Sequence, residues 1–141
     1  MELKDLVGRH MLSGVEMGLR RRDTEAYEDA QTISFILDGK TYTAIENPED
    51  GYRSSMRELI EDEGFVVKNT FHPQQVLVLF RGNSDVFDYE EDIIDFYDVD
   101  SGLCVLSVGT NYYEDYYPMF VAAWTPENLW MNMRNRKDVQ G

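Results

Sequence analysis

Thr32-Ile-Ser-Phe-Ile-Leu-Asp-Gly-Lys-Thr-Tyr-Thr-Ala-Ile45 is the stretch that decides the fold. Two runs of β-branched and aromatic residues flank Asp38-Gly39, and Asp-Gly is a dipeptide that tolerates the positive φ angles of a tight hairpin turn. A two-residue turn sets the register, with Leu37 opposite Lys40, Phe35 opposite Tyr42 and Ile33 opposite Ala44. Side chains alternate across a strand, so Ile33, Phe35, Leu37, Tyr42 and Ala44 share one face. Thr32, Ser34, Thr41 and Thr43 share the other with Ile36 and Ile45. The first face belongs to a core. The second is expected to be largely wet, as an antiparallel sheet permits.

Before this hairpin, residues 1–18 read as a short helical turn followed by a strand around Met11 to Met17. Arg20, Arg21 and Arg22 then face Asp23, Glu25, Glu28 and Asp29, a solvated stretch whose charges partly cancel; a nucleic-acid signal needs a longer basic run. After the hairpin, Pro48 and Gly51 mark a turn. Ser55 and Glu58 have the spacing of a capping box. Met56, Leu59 and Ile60 fall on one helical face, and Gly64 closes this short helix. Phe65 to Val67 and Val76 to Phe80 read as strands, the second apolar on both faces and so central.

A second hairpin spans Asp92 to Gly109, with Asp100-Ser101-Gly102 as a three-residue turn and Gly102 in the left-handed bulge position. Its register groups Ile94, Phe96, Cys104, Leu106 and Val108 on one face. Ile93, Asp95, Tyr97, Leu103, Val105 and Ser107 form the other, a face too apolar to be simply wet. Met119 to Trp124 is a further strand, and Thr125-Pro126 opens a second helix. The expected fold is α+β, mainly an antiparallel β-sheet built from hairpins with two short helices. It forms a single compact acidic domain over residues 1–133 with a polar tail at 134–141.

Charge separates sharply along the chain. The formal net charge is −14. Residues 82–133 contain no Lys or Arg but eleven acids, among them Asp85, Asp88, Glu90, Glu91, Asp92, Asp95 and Asp98. Phosphates are repelled by such a surface, so direct contact with nucleic acid or an anionic membrane is not expected. Tyr, Phe and Trp interleaved with these acids mark a folded segment, since acidic disordered chains lack them. Cys104 is the single cysteine, which precludes an internal disulfide and suits a reducing cytoplasm. The N-terminal residues carry Glu2, Asp5 and Glu16 and lack an apolar core of signal-peptide length. No apolar run has the length needed to cross a bilayer.

Few residues point to chemistry. His10 and His72 sit in no nucleophile motif, and Cys104, mid-strand on the expected core face, reads as a buried thiol. Asp98-Val-Asp100-Ser-Gly102 resembles the start of a calcium loop but lacks the distal bidentate Glu, and a hairpin turn explains the same residues. No catalytic residue, metal or cofactor is expected. An anion or nucleotide could sit at Tyr52, Arg53, Ser54, Ser55 and Arg57, where a helix start would offer free N–H groups and the arginines a guanidinium. Against this, Ser55 can act simply as a cap and the arginines can answer Glu49, Asp50, Glu58 and Glu61. The acidic segment is the stronger feature. Carboxylates along strands and loops can present a negative stripe comparable with a nucleic acid, blocking a basic groove, with Tyr97, Tyr113 and Tyr116 as anchors.

The segment ISFILDGKTYTAIENPEDGYRSSM and the VGTNYYEDYYP region resemble a family of small uncharacterised phage and prophage proteins. The resemblance covers Leu12 to Met56 and the second region, and it implies no activity. What it implies is a phage setting, in which small acidic proteins disarm host enzymes. The expectation is an inhibitor of a basic, nucleic-acid-binding host defence protein. The alternatives are a nucleotide- or anion-sequestering protein and a toxin-neutralising or phage structural component. The apolar outer face of the second hairpin is compatible with a homodimer.

Overall fold

In the computed structural model, Asp38 and Gly39 take φ angles of 52° and 81°, the left-handed pair that a two-residue hairpin turn requires. The expected register forms: Leu37 lies opposite Lys40, Phe35 opposite Tyr42 and Ile33 opposite Ala44. The structure describes residues 1–20, 30–47, 54–82, 91–112 and 118–125. A 3-10 turn at Leu3–Leu6 precedes β1 (Gly8–Arg20), β2 (Ala30–Leu37), β3 (Lys40–Asn47) and β4 (Ser55–Glu61). β5 (Thr70–Arg81), β6 (Glu91–Asp98), β7 (Cys104–Asn111) and β8 (Met119–Trp124) follow.

All eight strands form one antiparallel sheet in the order β4-β3-β2-β1-β5-β6-β7-β8. The sheet curls until its edges meet. β4 packs against β7 and β8, and the Met56 N–H donates to Thr110 Oγ1 at 2.8 Å across the seam. The enclosed face is lined by buried side chains that pack as one core. Phe35 and Phe96 are wholly buried and meet edge to face at 5.1 Å, while Tyr42 stacks on Phe35 at 5.8 Å. Leu3 and Leu6 of the 3-10 turn join this core.

Three expectations are corrected. First, the fold is all-β rather than α+β among the described residues, with the 3-10 turn as the one helical element. Ser55 and Glu58 do not cap a helix, because residues 55–61 are the edge strand β4. The helix expected from Pro126, and the tail at 134–141, lie outside the described residues. Second, Phe65 to Val67 is not a strand. The connection from β4 to β5 crosses the outer face of the sheet, where Val67 packs over Gly14 and Ile36.

Third, that crossing buries the polar hairpin face that was expected to be wet. Ser34 and Thr43 are buried and share a 2.7 Å hydroxyl hydrogen bond. Thr43 Oγ1 donates onward to Asp62 at 3.2 Å, and Asp62 pairs with Arg20. Arg20 also lies over the Phe65 ring, 5.5 Å from its centroid. Polar groups under a covering segment persist because each finds a partner.

Asp38 ties the hairpin turn to β1. Its carboxylate accepts from the Met11 N–H at 2.9 Å and lies 2.5 Å from His10 Nδ1, while His10 Nε2 lies 2.7 Å from the Leu6 carbonyl. These bonds, the one to His10 first and the Met11 N–H second, hold the Asp38 carboxyl below its ordinary 3.8. A folded-state pKa depressed in this way adds stability that is fully present above 3.8 and fades as pH falls through the folded value. Asp38→Asn keeps the left-handed turn, because Asn tolerates positive φ. Its thermal midpoint should therefore fall less steeply than wild type's below pH 3.8, with the two curves running parallel at higher pH.

Candidate functional site

The strands place the acidic residues in unlike environments. Asp92, near the start of β6, is exposed. Glu91 precedes it in the strand, opposite Asn111. Asp95 and Asp98 are 4% and 1% exposed, so neither belongs to a contact surface. Asp85, Asp88 and Glu90 lie outside the described residues, as do Tyr113 and Tyr116.

Asp95 sits on the outer face of β6 and is engaged within the fold. Arg81 grips it with two nitrogens, Nε at 2.6 Å and Nη2 at 3.1 Å. Ser107 Oγ donates to the same carboxylate at 2.6 Å, and Cys104 Sγ stands 4.0 Å away. Tyr97 shares this face, half-buried, and its hydroxyl pKa is raised by burial first and by the Asp95 charge second. Asp98 organises the β6–β7 turn instead. It accepts from the Ser101 N–H at 2.9 Å and from Gln74 Nε2 at 2.7 Å, and Gly102 takes the left-handed φ of 74°.

Cys104 is on this outer face and not on the core face. Phe96 pairs with Leu106 but Tyr97 pairs with Cys104, which leaves Val105 as an extra residue in β7. Such a bulge reverses the alternation beyond it. Val105 enters the core in place of Cys104.

The alternative anion site loses its basis in the same way. Tyr52 and Arg53 are outside the described residues, and Ser54 directly precedes β4. Ser55 is buried in β4 opposite Asn47, so no helix terminus offers its N–H groups there. Arg57 is exposed and occupies a bulge of its own: Ile45 pairs with Glu58 and Glu46 with Met56.

Arg57 does line a cleft. An opening of roughly 640 Å³ lies between the N-terminal turn, the start of β4, the end of β5 and the start of β6. Its floor is apolar, made by Leu3, Met56, Leu59 and the exposed Phe80. Its rim carries Met1 with the N-terminal ammonium, Glu2, Lys4, Arg57, Glu58 and Asp92, three positive groups against three carboxylates. Lys4 is answered by Glu2 at 3.0 Å, whereas Arg57, Glu58 and Asp92 make no ion pair among the described residues. Of these only Arg57 and Asp92 were candidates from sequence. The others come from separate segments that converge only in the folded chain, and no linear spacing marks them.

Among the described residues, no three His, Cys, Asp or Glu side chains converge as a metal ion would require. No helix among them is long and apolar enough to cross a membrane. Comparison with family models, with curated proteins and with solved structures gives no match.

Proposed function

We propose that the protein is a non-enzymatic interaction protein. It inhibits a basic, nucleic-acid-binding host protein, a defence protein in the phage setting that the resemblance implies, by presenting carboxylates where that partner expects phosphates. One observation carries this reading: eleven acids and no Lys or Arg over residues 82–133. Ordinary solvated surfaces mix both signs, which is enough for solubility. A run of one sign raises the local potential and speeds encounter with a basic groove.

Burial narrows the contact set. Asp95 and Asp98 are committed to Arg81, Ser107, Gln74 and the β6–β7 turn, so their carboxylates hold the scaffold. The reading rests on the exposed Asp92 together with Asp85, Asp88, Glu90 and Glu91. An affinity capture from host lysate at low and at high salt tests it. A basic partner retained at low salt should be released as salt screens the charges. Reversal of Glu90, Glu91 and Asp92 to Lys should abolish the capture. Retention of the same partner by that triple variant would refute the proposal.

A further inference from the structure

We infer that two copies of this chain associate through the outer face of β1, β5 and β6, an inference independent of the acidic-interaction reading. Val76 and Val78 are buried in the core, so alternation turns Leu77 and Leu79 of β5 outward. Arg9 of β1 and Tyr97 of β6 flank Leu77 in register, and Met11 lies beside Gln75 in the next row of the same face. Leu79 and Met11 are 44% and 41% exposed, Arg9 and Gln75 are exposed, and Leu77 and Tyr97 are half-buried. Apolar side chains that adjoin in this way, unlike single scattered ones, mark a surface of association.

Charge decides the occupant. At a net charge of −14, copies of the chain repel one another wherever their carboxylates face. Within these rows the one carboxylate is Asp95, which is 4% exposed and gripped by Arg81. Arg9 makes no ion pair among the described residues. A basic partner would therefore meet two guanidinium groups here and be repelled. A second copy is not repelled, because each Arg9 enters the negative field of the other molecule and the apolar rows close without burying an unpaired carboxylate. The exposed Asp92 stays clear of the contact, since it lines the cleft instead.

Sedimentation velocity over a concentration series, at low and at high salt, tests the inference. The wild type should dimerise, and added salt should tighten the dimer by screening the mutual repulsion of its acidic halves. Capture of a basic partner responds to salt in the opposite sense, so the two readings fail separately. Leu79→Asp and Arg9→Glu, both at exposed positions, should each weaken dimerisation about tenfold or more, with thermal midpoints confirming that the variants fold. Val66→Asp adds the same charge as Leu79→Asp at a side chain 75% exposed beyond β4, and should change dimerisation less than about twofold. Equal weakening by all three variants, or a dimer that loosens with salt, would overturn this face as the contact. A wild type that stays monomeric throughout would overturn the inference, whether or not another protein proves to bind there.

Discussion

Gly109→Ala is expected to destabilise the protein by about 4 kcal/mol or more, a large share of the 5–15 kcal/mol or so that holds a typical domain folded. Gly109 lies in β7 between Ile93 of β6 and Val121 of β8. Its φ is 150°, a conformation that L side chains rarely adopt. A methyl group there would stand 1.9 Å from the Asp92 carbonyl oxygen and 2.7 Å from Ile93 Cα. Both obstacles are backbone, so no rotamer change relieves them. The start of β6 would have to move, and Asp92 with it, so any residual fold would lose the cleft rim. Gly64→Ala is the matched control. Nothing lies within 4 Å of its added methyl and its φ is not positive, so its urea midpoint should stay within about 0.5 kcal/mol of wild type. A wild-type midpoint for Gly109→Ala would mean that β6 and β7 do not approach as closely as described.

Phe96→Ala should cost about 3–5 kcal/mol, the range for truncating a fully buried aromatic. Phe96 is wholly buried in β6, and its ring meets that of Phe35 from β2 in an edge-to-face arrangement. The contact joins the β5–β8 half of the sheet to the β1–β4 half through the middle of the core. Little can collapse into the space, because Val78 and Leu106 beside it are held in neighbouring strands. Leu103→Ala, at a side chain 44% exposed in the β6–β7 turn, should cost less than about 0.5 kcal/mol. Denaturant melts of the two variants check the contrast. Similar midpoints would place Phe96 outside the core.

The hairpin around Asp38-Gly39 was legible to the level of individual residue pairs, because turn chemistry and alternation agree there. The three-residue turn ending in Gly102 was legible for the same reason. Two single-residue bulges explain the two plainest misreadings. With Arg57 inserted in β4, the inward Met56 and Leu59 stand three apart. That is the spacing of a helix face, and Ser55 and Glu58 completed the illusion of a capped helix. With Val105 inserted in β7, Cys104 and Val105 exchanged faces. A bulge leaves no mark in a sequence read by period alone, since either strand of a pair can carry it. Asp95 and Asp98 were misjudged for another reason. Their partners Arg81, Ser107 and Gln74 come from neighbouring strands, and composition does not reveal which acids a fold keeps for itself.

The position of β1 between β2 and β5 has a consequence for the order in which the chain can be assembled. A ribosome delivers the first four strands as a ready meander. One flank of β1 nevertheless stays bare, because Gly8 to Leu12 find their partners only at Val78 to Gln74. Closure over so long a loop is slow compared with hairpin formation. A chain cut short before Thr70 would therefore carry an inner strand with an open flank, the kind of edge that recruits a second copy of itself.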